Sequence, residues 1–183
     1  PIEKNSNSAA AEQLRKIVFP FILRRKKEMV ATELPPKEEI IVRCEMGEKQ
    51  KKIYEAFKAE CRGKVEKILA DKGKDKGAIE IFDALLKLRQ IALFPSLVVK
   101  EGEKAGSCKF DVFSDMVDEI TSEGHKVLIF SQFVKSLKIL EADIVSKELN
   151  YSYIDGSVKR RAEAIKNFQN NDSVKVFLLS LKA

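Results

Sequence analysis

At 183 residues, 44% of them hydrophobic, the chain is long enough for one well-filled core or one and a half. No apolar run approaches the roughly 20 residues that cross a bilayer, the opening Pro1-Ile-Glu-Lys-Asn-Ser6 does not read as a signal peptide, and Cys44, Cys61, Cys108 and the single His125 make neither a disulfide framework nor a zinc site credible, which suits a reducing interior. The net charge of +6 and pI near 9.1 admit a polyanionic partner without requiring one.

Residues 9–18 carry Leu14, Ile17 and Val18 at helical spacing, and Phe19-Pro20 ends the pattern, so a short helix is expected. Phe21-Ile-Leu23 leads into the cations Arg24-Arg-Lys-Lys27, and Leu34-Pro-Pro36 then stiffens the chain into an extended connector that reads as a boundary. The β-branched Ile40, Ile41 and Val42 predict a strand over Glu39 to Cys44. A long helix is expected from Glu48, with Ile53, Phe57, Cys61, Val65 and Ile68 as its apolar stripe. Asp71 to Gly77, two glycines among alternating charges, predicts an exposed loop. A second helix follows with Ile79, Phe82, Leu86 and Leu93 on one side, stopped by Phe94-Pro95, and the two make a helical hairpin. Between Gly47 and Lys76 it carries ten Lys/Arg against six Asp/Glu, a balance more often found on a solvated face than at a nucleic-acid site. Glu101-Gly-Glu-Lys-Ala-Gly106 reads as a mobile linker.

From residue 108 helix and strand alternate. Helices are expected over 108–123, 134–148 and 159–169, with strands over 126–130, 151–154 and 174–179. This alternation calls for an α/β fold with a parallel sheet and right-handed crossovers. Ser107 is placed to cap the first of these helices, and Gly124 and Asn150 to end the first and second.

No Gly-x4-Gly-Lys-Ser/Thr and no Gly-x-Gly-x-x-Gly turn occurs, so the chain has no phosphate cradle of its own. His125, between Gly124 and Lys126, reads as a solvated histidine rather than a base. The carboxyl ends of parallel strands are where polar side chains meet ligands. Val127-Leu-Ile-Phe-Ser-Gln-Phe133 delivers Ser131 and Gln132 there, Tyr153-Ile-Asp-Gly-Ser157 delivers Asp155, Gly156 and Ser157 with Arg161 just beyond, and Val176 to Ala183 delivers Ser180 and Lys182. Hydroxyls, amides, lysines and loop N–H groups hold a nucleic-acid backbone without reading bases. Asp155, an acid, is assigned to ordering its loop through Arg161, while a plain turn after a strand is the other reading of Asp155-Gly156. Ser107-Cys-Lys109 opens a helix whose free N–H groups and dipole suit a phosphate, with Lys109 adding a full charge. An ordinary capped helix with an exposed lysine explains the same three residues.

Pro20-Phe-Ile-Leu-Arg-Arg25, Leu34-Pro-Pro-Lys37 and the three strand ends together resemble the Swi/Snf-type helicase-like ATPases, superfamily-two translocases that pump double-stranded DNA, over nearly the whole chain. The resemblance implies a RecA-like second motor lobe of P-loop NTPase type, preceded by a helical hairpin protrusion. It divides the chain into residues 1–36, the end of the first lobe and a brace; 37–106, strand, protrusion and linker; and 107–183, a partial second lobe cut within motif V. It implies that Phe21, Arg24 and Arg25 brace the two lobes, and that Lys109, Ser131, Gln132, Gly156, Ser157, Arg161, Ser180 and Lys182 contact DNA. Gln50 and Tyr54 match a recurring Gln-x-x-x-Tyr, and Leu85 to Ile91 carry a Leu-x-x-Leu-Arg-Gln whose Leu88, Arg89 and Gln90 are taken as structural. Phe94-Pro95 departs from the family's frequent His-Pro, and Cys108 from the glycine of its Ser-Gly-Lys.

The implied partners are double-stranded DNA and the first motor lobe of the same polypeptide, with no membrane. ATP and Mg2+ serve the intact parent and none is expected on this stretch, to which no catalytic or metal-ligating residue is assigned. The compartment is nuclear in a eukaryote, cytoplasmic or nucleoid-associated in a prokaryote. Two rivals stand beside this reading. A free-standing, non-enzymatic α/β nucleic-acid-binding module would not need the brace segment, and a small-molecule-binding doubly wound domain would need a glycine-rich first βα turn.

Overall fold

The computed structural model describes residues 8–23, 30, 33, 35, 37–72 and 78–182. The chain falls into two compact units, residues 1–42 and 43–183. In the first, α1 (Ser8–Val18) closes on a 3-10 turn at Phe19–Phe21. Pro20 offers no N–H and disfavours the helical conformation in the residue before it, so the helix stops. Phe19, Phe21 and Leu23 are exposed; Arg24 and Arg25 of the expected brace lie outside the described residues.

The strand expected over Glu39 to Cys44 does not form, and Ile40, Ile41 and Val42 are exposed. A β propensity is a fit to a pleated neighbour, and among the described residues no strand pairs with this segment.

In the second unit α2 (Glu48–Lys72) and α3 (Ala78–Leu93) pack along each other as the expected hairpin. The loop between them lies outside the described residues from 73 to 77. Cys61 and Ile91 are buried, but Ile79 and Phe82, expected on a packed stripe, are 82% and 70% exposed. Next come 3-10 turns at Pro95–Leu97 and Lys100–Lys104, folded against each other. A Cβ on Gly102 would stand 2.4 Å from the Pro95 carbonyl carbon and 2.5 Å from the Ser96 nitrogen. Within the stretch expected to be a mobile linker, Gly102 is therefore packed against the preceding turn, while Glu103, Lys104 and Gly106 are exposed.

The alternating half matches the sequence: α4 (Cys108–Ser122), β1 (Val127–Ser131), α5 (Val134–Ser146), β2 (Asn150–Ile154), α6 (Arg161–Asn170) and β3 (Val174–Ser180). The strands are parallel in the order β1-β3-β2, with Ser131 opposite Ser180 and Ile154 opposite Leu179. The central β3 buries Val174, Val176, Phe177 and Leu178, and Val176 to Leu179 is the unbroken apolar run that a strand covered on both faces requires. Successive side chains alternate faces. Val176 and Leu178 meet Leu137, Leu140 and Ile144 of α5, Val117 of α4, and Phe94, while Phe177 meets Phe168 of α6 on the other side at 5.0 Å between ring centroids. Helices thus cover both faces of β3 in this RecA-like α/β sheet, while Leu128 and Phe130 of the edge strand β1 stand exposed on one face. Gly124, at φ 82°, ends α4 as expected; the left-handed residue after α5 is Glu148, at φ 56°, and not Asn150, which opens β2.

Candidate nucleic-acid interface at the carboxyl edge of the sheet

Because the three strands are parallel, their carboxyl ends bring Ser131-Gln132, Asp155-Gly156-Ser157 and Ser180-Lys182 to one edge. The Leu181 N–H donates to the Ser131 carbonyl at 3.0 Å and fastens the first and third of these together. Lys109, Ser131, Gln132, Arg89 and Leu181 line one cleft of about 470 Å³. The Asp155 loop and Arg161 sit at the same edge, across β3 from β1.

The hydroxyls at this edge build their own turns. Ser131 Oγ accepts from the Phe133 N–H at 3.2 Å and shares a 2.7 Å hydrogen bond with Ser136 Oγ, and the Phe133 carbonyl lies 3.4 Å from the first hydroxyl and 2.7 Å from the second, so the two hydroxyls close one turn around Phe133. Buried Ser180 accepts from the Lys182 N–H at 3.2 Å. Asp155, also buried, accepts from the Ser157 N–H at 2.8 Å, the Ser157 hydroxyl at 2.6 Å and the Tyr153 hydroxyl at 2.9 Å. The bonds from Ser157 hold its carboxyl below the usual carboxylate range. On the partner side, burial and then this same hydrogen bond push the Tyr153 hydroxyl well up. Asp155 therefore orders its loop as expected, but through Ser157 and Tyr153; Arg161 is exposed and its Nε donates to the Val158 carbonyl at 3.4 Å. Gly156 is exposed, and a Cβ there would meet nothing within 4 Å.

The N-terminus of α4 differs from expectation. The Cys108 N–H donates to Gln50 Oε1 at 3.2 Å and the Phe110 N–H to Ser107 Oγ at 3.2 Å, so two of its orphan donors are used within the protein. What this terminus presents outward is the exposed side chain of Lys109, which makes no ion pair among the described residues. Burial, and then a hydrogen bond with the Cys44 thiol, push the Cys108 thiol up, so the helix end does not create a reactive thiolate.

Two side chains taken as motif matches or scaffolding have defined work. Gln50, 1% exposed, donates from Nε2 to the Ile91 carbonyl at 3.2 Å while its Oε1 receives the Cys108 N–H. In an unbroken helix the Ile91 carbonyl would take the N–H four residues on, but that residue is Pro95 and has none. Ser107 Oγ likewise donates to the Leu93 carbonyl at 2.5 Å. Orphan groups at the end of α3 and the start of α4 thus share two side chains, which ties the hairpin to the sheet. Arg89 donates from Nη2 to Gln132 Oε1 at 2.7 Å. Both lie in motif matches, Gln50 in Gln-x-x-x-Tyr and Arg89 in Leu-x-x-Leu-Arg-Gln, but neither match names the partner the side chain holds.

A RecA-like sheet with a helical hairpin ahead of it and polar loops at its carboxyl edge is the second lobe of a helicase-like motor. The chain matches the SNF2-related domain over residues 1–97 and the helicase conserved C-terminal domain over residues 108–183, and it belongs to the SNF2 family of helicase-like ATPases. It is 36% identical over 193 residues to "Chromodomain-helicase-DNA-binding protein 1-like" of Mus musculus, covering 100% of this chain and 20% of that protein. To "Protein CHROMATIN REMODELING 8" of Arabidopsis thaliana it is 30% identical over 192 residues, covering 100% and 16%. The chain thus spans a fifth or less of these curated relatives. Among solved structures, the Sulfolobus solfataricus SWI2/SNF2 ATPase C-terminal domain superposes with a TM-score of 0.63 at 33% identity, over 76% of this chain and 61% of that one. The C-terminal part of the Fun30 ATPase domain, at 20% identity and a TM-score of 0.62, shares the fold.

Proposed function

We propose that the chain contributes the protrusion and part of the second motor lobe to an ATP-dependent double-stranded DNA translocase of the chromatin-remodelling type, holding one DNA strand by its backbone and coupling the two lobes. The observation that carries this is the single sheet edge where Gln132, the Gly156 loop and Lys182 gather, with Lys109 in the Gln132 cleft. A motor that moves along DNA must grip any sequence, so amides, lysines and loop N–H groups serve it and bidentate base contacts would hinder it. Lys109, Gln132, Arg161 and Lys182 are the contacting side chains in this account. Gly156 admits a phosphate close to its backbone, while Ser131, Ser157 and Ser180 set the loops that present them.

SNF2-family ATPases use a nucleotide and Mg2+. The residues of this chain do not fit that group: the sequence has no glycine-rich phosphate loop, and no cluster of three or more His, Cys, Asp or Glu among the described residues is placed to hold a metal ion. ATP and Mg2+ belong in this proposal to the first lobe, and Phe21, Arg24 and Arg25 to the brace between lobes, with residues 1–36, 37–106 and 107–183 as the functional divisions. The relatives' printed names, one with DNA binding and one with chromatin remodelling, support a DNA partner and a nuclear setting in a eukaryote.

Titrating labelled duplexes of unrelated sequence across salt tests the reading. Affinities should be weak, agree among sequences, and fall with salt at a slope of roughly −0.9 per phosphate neutralised. Strong preference for one sequence would contradict it.

A further inference from the structure

Arg89 belongs to the hairpin and to none of the strand ends, yet it reaches across 43 residues of sequence to hold Gln132. A guanidinium carries five donors and no acceptor, so the only end of the Gln132 amide it can bind is the oxygen. With Oε1 held at 2.7 Å, the NH2 end is turned away from Arg89, and both side chains line the cleft that Lys109 also lines. We infer that Arg89 is a positioning residue of the nucleic-acid site: it fixes the Gln132 amide so that the Nε2 donors, rather than the oxygen, face a backbone phosphate. This rests on the DNA-contact reading of the strand ends, and it extends the site from the sheet edge onto the hairpin. Without Arg89 the amide is free to turn, and orientations that aim its oxygen at an anion compete with those that donate.

The test is a double-mutant cycle on the 183-residue chain, read as affinity for a short labelled duplex at low salt, with thermal melting alongside. Arg89→Ala and Gln132→Ala should each weaken binding roughly three- to tenfold, and the double variant should bind no more weakly than the weaker single one. Arg89→Lys, which keeps a donor for Oε1, should restore most of the loss. Gln132→Glu should bind more weakly than Gln132→Ala, because Arg89 holds one carboxylate oxygen and leaves the other against the phosphate; this arm refutes or supports the inference even if Arg89→Ala melts lower. Additive losses in the double variant, or Gln132→Glu binding as tightly as the unaltered chain, overturn the role of Arg89 while leaving the DNA reading in place, provided Lys109→Ala weakens binding. If binding neither falls with salt nor weakens in Lys109→Ala, the DNA reading fails and the inference with it.

Discussion

Replacing Gln50 tests whether one buried amide joins the hairpin to the sheet. In Gln50→Leu the side chain keeps its approximate volume, but the Ile91 carbonyl and the Cys108 N–H lose their partner. Each of the two buried groups left unpaired costs about 1–3 kcal/mol, and burying the apolar side chain offsets about 1.5–3 kcal/mol, so the net loss should be about 2 kcal/mol. Urea unfolding followed by circular dichroism would show it as a lower midpoint at unchanged slope. Gln50→Glu adds a signature in pH. The neutral acid can donate to the Ile91 carbonyl and accept from Cys108, whereas the carboxylate cannot donate, so its folded pKa is raised above the unfolded value of about 4.3. The sign follows: the variant's stability is fully present below the unfolded pKa and is lost as pH rises through the folded one. Its deficit should therefore be small near pH 4 and grow toward pH 7. A Gln50→Leu protein within about 0.5 kcal/mol of the original, or a Gln50→Glu deficit that ignores pH, would refute the reasoning.

Gly102→Ala should cost about 1–3 kcal/mol in the same assay, because the new methyl runs into the Pro95 and Ser96 backbone; a loss under about 0.5 kcal/mol would restore the loose linker. Phe168 is only half-buried against Phe177, so Phe168→Ala should cost about 1.5–2.5 kcal/mol, roughly half of what a fully buried ring costs. Since hydrogen bonds from Ser157 depress the Asp155 pKa, its contribution is complete above the unfolded value and is lost as pH falls through the folded one. Melting of Asp155→Asn against the unaltered chain from pH 7 to pH 3 should therefore show a shallower acid decline in the variant, and parallel curves would count against the assignment.

The second half of the chain was legible because its signals are local: β1 and β3 contain apolar runs, β2 is the β-rich Tyr-Ser-Tyr-Ile, each helix has a stripe and a stop, and Ser107 and Gly124 announce their caps. What the sequence hid depends on partners far along the chain. Ile40 to Val42 have the composition of a strand and, among the described residues, no strand to pair with. Ile79 and Phe82 keep helical spacing, which identifies the helix and not what its face meets. Glu148 occupies a left-handed position that composition assigns to glycine or asparagine, and Gly102 is where two turns touch, which reads in sequence as looseness. Gln132 was legible as a polar residue at a strand end, but the Arg89 that holds it is 43 residues away. Likewise Asp155 orders its loop through Ser157, two residues on, while Arg161, the oppositely charged residue that sequence offers as its partner, turns to the Val158 carbonyl.

Amide hydrogen exchange with and without duplex DNA tests the location of the interface most directly. On adding duplex at low salt, exchange should slow in the segments 131–133, 155–158 and 180–182 and at the start of α4, and this protection should disappear at high salt as the phosphate contacts are screened. Protection confined to the basic helix α2, or duplex binding that leaves all three strand-end loops exchanging at their free rates, would contradict the account.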